Sequence, residues 1–272
     1  MTTAGSGAQG HDLVLRVGAA TDVGRVRDHN EDSLLVTASV FAVADGMGGH
    51  AAGEVASRIV TETLEELAER ERIVPDDIVA ALALANTRLL ESAARHPEQT
   101  GMGTTATGLS VVSAGGSDHW AVFNVGDSRV YRLVDAELDL VTVDHSEVQE
   151  MIDAGLLTAE QAARHPLRNI VTRSLGTEVT PVPDLWVFPP SPGERFVICS
   201  DGLSNELSRE QMRRIVAEVD DPQQAAVALV AAAVEAGGRD NVTAIVVALD
   251  AGEDEADVDE DTAPRSATRT SA

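Results

Sequence analysis

Ten short apolar segments rich in β-branched residues are interrupted by helical stretches that come in pairs, and this grouping restricts the fold more than any other feature of the sequence. The segments are LVLRVGAATD, SLLVTA, VFAVAD, TATGLSVVSA, HWAVFNV, RVYRLVD, LDLVTV, DLWVFP, RFVICSD and NVTAIVVAL, and several alternate apolar with polar residues. A doubly wound parallel sheet needs strand and helix to alternate one for one. Strands clustered around helical pairs suit antiparallel sheets with helices laid against them. The first pair spans about residues 52–70, with Val55, Ile59, Thr63 and Leu67 on one face, and 76–95, with Ile78, Ala81, Leu82, Ala85 and Leu89. The second lies near 208–219 and 222–237, ending at Gly237-Gly238. HWAVFNVGDSRVYRLV reads as a hairpin turning at Gly126-Asp127-Ser128. Residues 144–180 form a separate excursion: a short helix closed by Gly155, then Thr158 and Gln161 in capping-box spacing. An excursion of that size on one rim is a candidate lid.

No Pro/Gly-rich linker and no fixed repeat divides the chain, so residues 11–250 are expected to form one domain between disordered tails at 1–10 and 251–272. Hydrophobic residues make up 43% of the chain, ample for a buried core. Cys199 is the lone cysteine, which excludes an internal disulfide and favours a reducing compartment. The first residues lack the basic and apolar regions of a signal peptide, and AAVALVAAAVEAGG is too short for a bilayer span and carries Glu235. A cytoplasmic monomer with no membrane segment is expected. The net charge is −25, and the eight acids of DAGEDEADVDED against Arg265 and Arg269 leave the body at −19. Direct binding to nucleic acid is therefore disfavoured, since that affinity depends on basic side chains against phosphate.

Residues 40–60, VFAVADGMGGHAAGEVASRIV, run from strand through a glycine turn into helix and contain Gly46-x-Gly48-x-x-Ala51, the outline of a dinucleotide site. Asp45 opposes that reading, because a carboxylate there would face the incoming phosphates. The acid expected about 20 residues on falls at Glu65 and Glu66, inside a helix. The more informative pattern is repetition. Asp45, Asp127 and Asp201 each end an apolar run beside glycine or serine, Asp240 precedes the last strand, and Glu31-Asp32 precedes another. If those rims converge, the carboxylates repel one another unless a cation neutralises them. No Cys/His cluster has zinc spacing, so an all-oxygen site for Mg²⁺ or Mn²⁺ is the expectation. Two such ions bridged by one carboxylate, roughly 3.5–4 Å apart, lower the pKa of a shared water and equip it to attack phosphorus. Arg25 or Arg27 can supply a bidentate fork for the phosphate.

In order and spacing, RVRDHNEDS, VADGMGGHAAGEVAS, GMGTTAT, NVGDSRVY, TVDHS, NIVTRSLG, CSDGLSNEL and RDNVTAIVV resemble the motifs of the PP2C-like, metal-dependent serine/threonine protein phosphatases in their bacterial form, over about residues 11–250. The resemblance implies an α+β fold: a four-layer α-β-β-α sandwich of two antiparallel sheets flanked by helical pairs, with the metal centre at one end. It implies that Asp45 bridges two metals, that the Gly46 carbonyl binds one of them, and that Asp201 and Asp240 bind the other. Glu31 and Asp32 would act through metal-bound waters, Asn241 would support the ligands from behind, and Arg27 would hold the substrate phosphate. Asp127 with Asp201 resembles the third, weaker metal site of bacterial members, and 144–180 their flap. The partners implied are phosphorylated proteins, namely Ser/Thr kinases and their substrates.

Asn205 stands where many relatives carry aspartate, which lowers the charge of the third site. Met47 stands where animal members carry a proposed general acid, and His50, three residues on, is the nearest candidate for that role. His145 in DHS reads as structural or flap-related, and Cys199 as buried core. A cysteine-dependent phosphatase would need arginine at 205, and the His/Asp strings of other two-metal phosphatases are missing. The rival from another class is a phosphatase-like sensing module without turnover, which loss of a metal ligand would signal.

Overall fold

The computed structural model describes residues 13–48, 52–162, 164–177 and 182–250, so the expected tails and His50 lie outside the described residues. Along the chain run β1 (Leu15–Asp22), β2 (Asp32–Val36), β3 (Val40–Met47), α1 (Ala52–Ala68), α2 (Pro75–Arg95), β4 (Gly103–Thr104), β5 (Ala106–Ala114), β6 (Ser117–Val125), β7 (Arg129–Val134) and β8 (Glu137–Leu140). There follow α3 (Glu147–Asp153), α4 (Ala159–Ala162), β9 (Asp184–Phe188), β10 (Arg195–Cys199), α5 (Asp201–Ser204), α6 (Arg209–Glu218), α7 (Pro222–Ala236) and β11 (Val242–Leu249). The strands form two sheets, ordered β1-β11-β10-β7-β8 and β2-β3-β5-β6-β9, with β4 added beside β3. Every pairing is antiparallel.

The alternation of strand residues sorts the core into three layers. Phe41, Val43, Leu109, Val111, Trp120, Val122, Phe196, Ile198, Ile245 and Val247 pack between the sheets. On the same strands, Val40, Ala42, Ala44, Ala121 and Phe123 face Val60, Leu64, Leu82 and Leu89 of α1 and α2. Val197, Cys199, Val242, Ala244 and Val246 face Met212, Val216, Leu229 and Ala233 of α6 and α7. Strands buried on both faces read as continuous apolar runs, which is how β3 and β11 appear in the sequence. Four layers result, α-β-β-α. Among the described residues no helix is long and apolar enough to cross a membrane.

One local expectation fails. β6 and β7 do not pair: β6 lies between β5 and β9, and β7 between β10 and β8. Residues 126–128 instead carry the chain from one sheet to the other. A hairpin and an inter-sheet link look alike in sequence, because both are tight turns between apolar strands. What decides it is that both edges of β6 are already taken, one of them by the β5–β6 hairpin, whose Gly115 and Gly116 adopt φ of 61° and 92°.

The excursion keeps its expected parts. α3 is capped by Ser146, whose hydroxyl accepts from the Gln149 N–H, and the chain leaves through Gly155 at φ 71°. Thr158 and Gln161 cap each other's main chain at 2.8 and 3.3 Å. Two isolated bridges tie its base down, Ser146 to Val171 and Thr104 to Leu175.

Candidate metal centre

The rows of side chains between the sheets change chemistry at one rim. The row of Phe41 and Val43 continues to Asp45, that of Ile245 to Thr243, that of Ile198 to Ser200 and that of Leu109 to Thr107 and Thr105. β2 places Asp32 directly opposite Asp45, so both carboxylates lie on the same face. Within a residue or two, a hydrocarbon layer becomes one of hydroxyls and carboxylates.

Each acid is held differently. Asp32 Oδ2 accepts from Ser200 Oγ at 2.8 Å and Thr243 Oγ1 at 2.7 Å, while its Oδ1 is buried with no hydrogen-bond partner. Burial pushes the Asp32 pKa up to about 7, the two hydroxyls pull it back, and Asp201 and Asp240 raise it further. The main chain of Asp45 is pinned by Thr105, which accepts from its N–H and donates to its carbonyl, and by Thr104 Oγ1, all at 2.9 Å. Its carboxyl is driven well above the usual range, first by burial and then by Asp32, Asp201, Asp127 and Asp240. Asp127, in the link between the sheets, is pushed up to about 7 by burial, Asp201 and Asp144, against relief from Arg129. Asp201 opens α5 and is pushed up to about 6 by burial and Asp240, while Arg129, Asn205 and Arg27 lower it. Glu31 is raised chiefly by burial and eased by Arg27 and by the Gly53 N–H at the start of α1.

Asp240 accepts from Arg27 Nη2 at 2.8 Å through one oxygen and from the Asn241 N–H at 2.9 Å through the other. Of the two candidate arginines, Arg27 is the one that reaches the carboxylates. The main-chain N–H of Arg25 donates to the Gly238 carbonyl. Asn241 is buried, accepts from the Glu31 N–H at 2.9 Å and donates to the carbonyls of Val23 and His29 at 3.0 and 2.9 Å. One amide thus fastens the loop that carries Arg27 and Glu31. The glycine after Asp45 serves close packing: a Cβ on Gly46 would sit 2.2 Å from the Gly53 carbonyl oxygen and 2.6 Å from that of Glu31. Main chain meets main chain there, and the first turn of α1 reaches Glu31.

Asp45, Asp32, Asp127, Asp201, Asp240 and Glu31 are therefore linked by mutual repulsion, and the Gly46 main chain lies beside those of Glu31 and Gly53. Among the described residues, no group of three or more His, Cys, Asp or Glu side chains forms a shell that could hold a metal ion. Mg²⁺ and Mn²⁺ need no such shell, since they keep several waters and take only one or two carboxylates each. Crowded acids, a buried carboxylate oxygen without a partner, and oxygen as the only donor type all fit a hard divalent cation.

The sequence reading missed several supports. Ser200 and Thr243 clamp Asp32, and period-2 counting from Ile198 and Ile245 points both into the same layer. Asn205 donates to Asp201 Oδ2 at 3.0 Å. His145, read from the sequence as structural or flap-related, is tied on three sides: its Nδ1 accepts from the Gly126 N–H at 3.0 Å, its Nε2 lies 3.2 Å from Asp184 Oδ2, and its carbonyl accepts from Thr172. Arg27 and Asp240 also line a cleft of about 420 Å³, together with Gly202, Asn205, Glu206 and Arg239 and with Arg164, Arg168 and Asn169 of the 144–180 excursion.

A four-layer antiparallel sandwich with crowded carboxylates at one rim is the architecture of the metal-dependent protein phosphatases. The chain belongs to the protein phosphatase 2C family, whose model matches residues 25–236. It is 40% identical over 239 residues to the serine/threonine protein phosphatase PstP of Mycobacterium tuberculosis, covering 86% of this chain and 45% of that protein. The chain thus spans less than half of PstP's length. It is 33% identical to the serine/threonine phosphatase stp of Listeria monocytogenes over 241 residues, 85% of this chain and 94% of that one. A crystal structure of the PstP catalytic domain in complex with two manganese ions matches with a TM-score of 0.78 at 37% identity, covering 88% of this chain and 99% of that one.

Proposed function

We propose that this protein is a metal-dependent phosphatase that hydrolyses phosphoserine and phosphothreonine in proteins, with residues 11–250 as its catalytic unit and 144–180 as its flap. The observation that carries the reading is the acidic cluster around Asp45. Asp45, the Gly46 carbonyl, Asp201 and Asp240 would hold two Mn²⁺ or Mg²⁺ ions, with Glu31 and Asp32 supporting them through water and Asp127 with Asp201 offering a weaker third position. The manganese pair of the PstP catalytic domain supports this metal choice.

Divalent ions held there supply Lewis acidity and an activated water. The chain's own residues do the rest. Arg27 spends one N–H on Asp240 and keeps the remainder of its half-exposed fork for the phosphoryl oxygens. Ser200 and Thr243 fix Asp32, and Asn241 fixes the loop that presents Arg27. Ser/Thr kinases and the proteins they modify are the partners, and the protein works as a cytoplasmic monomer.

Release of phosphate from a phosphothreonine peptide by metal-stripped protein, with Mn²⁺, Mg²⁺ or EDTA added, tests this. Activity is expected only with metal, and Asp45→Ala abolishes it while the protein stays folded. Folded protein silent in all conditions would leave the sensing module; metal-dependent turnover by Asp45→Ala would sink the bridging role.

A further inference from the structure

The cleft beside the centre has a charge opposite to that of the protein. Four arginines line it, Arg27, Arg164, Arg168 and Arg239, against two acids, Asp240 and Glu206, in a chain of net charge −25. Both acids are already engaged: Asp240 by Arg27, and buried Glu206 by a two-pronged contact with Arg239 at 2.7 and 2.9 Å. Arg164 and Arg168, exposed on the flap wall, make no ion pair among the described residues. Asn169 and Asn205 add neutral amides to the same lining. At about 420 Å³ the cleft falls within the ~300–1,000 Å³ range of ligand sites. Basic walls in a low-dielectric cleft concentrate field lines, so an anion entering here is attracted even though the protein as a whole repels it.

The cleft shares Arg27 and Asp240 with the metal centre, so one ligand can occupy both. We propose that Arg164 and Arg168, with Arg239 behind them, form a second anion subsite that takes a further phosphoryl or carboxylate group on the same peptide as the phosphate held by Arg27. The inference rests on the phosphatase reading above and adds to it a substrate class: segments phosphorylated more than once, or phosphorylated beside acidic residues. In an extended peptide, side chains two residues apart project to the same side. A second anion two positions from the scissile phosphothreonine can therefore meet the flap wall while the first meets Arg27.

Three fluorescein-labelled peptides test it: one phosphothreonine alone, one with a second phosphothreonine two residues on, and one with glutamate there. Binding is read by anisotropy on metal-stripped protein in EDTA, so that no turnover occurs, and KM is read separately with Mn²⁺. The doubly phosphorylated peptide is expected to bind about tenfold tighter than the singly phosphorylated one, equivalent to ~1.4 kcal/mol, and KM moves in parallel. The Arg164→Ala/Arg168→Ala double variant loses the difference. A gain with the second phosphothreonine alone assigns the subsite to phosphoryl groups; a gain shared by glutamate assigns it to anionic side chains generally. Equal binding of all three peptides, or a preference that survives the double substitution, overturns the proposal. Hydrolysis of p-nitrophenyl phosphate by the unsubstituted protein with Mn²⁺ reports on the centre alone. Its failure would strike the phosphatase reading, while the anisotropy comparison would still decide the subsite.

Discussion

Asn241 is a position where one amide sets the shape of the site without needing to touch substrate. Its side chain makes three hydrogen bonds, all to main-chain groups: the Glu31 N–H and the carbonyls of Val23 and His29. The residue is 5% exposed, so truncation strands those groups where water has poor access. At roughly 1 kcal/mol net per hydrogen bond, Asn241→Ala costs about 3 kcal/mol. For a domain of this size, each kcal/mol lowers the melting temperature by about 2–4 °C, giving a fall of ~6–12 °C. The freed loop carries Arg27, so KM for a phosphopeptide rises more than kcat falls. Asn241→Asp, although isosteric, is expected to be worse. A carboxylate keeps the acceptor for Glu31 but loses both donations, faces two carbonyl oxygens, and adds a negative charge beside Glu31 and Asp240. Thermal unfolding in EDTA and steady-state kinetics with Mn²⁺ read both quantities. A melting temperature for Asn241→Ala within about 1 °C of the parent, with KM unchanged, would refute the reasoning.

Other consequences can be checked by the same assays. Asp32 and Asp127 titrate near 7 and Asp201 near 6 in the folded protein, against about 3.9 when unfolded. Between those values the folded state binds more protons than the unfolded one, so the stability of metal-stripped protein falls as pH rises through that window. Melting in EDTA should be higher near pH 5.5 than near pH 8, and a reversed order would discard the crowded-carboxylate account. Because protons compete with metal for the same oxygens, Mn²⁺ should raise the melting temperature more near pH 8 than near pH 5.5. Asn205→Asp exchanges the donor on Asp201 for another negative charge; it should destabilise the protein in EDTA and enlarge the melting shift on adding Mn²⁺, and an unchanged or smaller shift would count against it.

Much of the sandwich was legible because central strands such as β3, β5 and β11 are buried on both faces and its helices on one. Continuous apolar runs such as VFAVAD and the stripe Ile78, Ala81, Leu82, Ala85 and Leu89 supply the buried faces of strand and helix. The acids were legible by repetition, since several strands end in aspartate at the same rim. What the sequence concealed was partnership across long separations. Thr243 reaches Asp32 from another sheet, Asn241 reaches back to Val23, and Arg164 and Arg168 join Gly202 of α5 around one cleft. The mistaken hairpin at 126–128 has the same root: local pattern records that the chain turns, while the sheet it turns into is set by which edges are already paired.

The pairing of β1 has a bearing on how the protein comes to exist. Among the described residues its only ladder partner is β11, with Leu15 opposite Leu249 and Asp22 opposite Val242. During synthesis at ~5–20 residues per second, the first strand waits on the order of ten to forty seconds before its partner is made. β11 also bears Thr243 and follows directly on Asp240 and Asn241. Its arrival therefore completes the barrier to solvent, the clamp on Asp32 and the anchor of the Arg27 loop in one event. A chain that stops before Val242 lacks both the ladder partner of β1 and the Thr243 hydroxyl that holds Asp32.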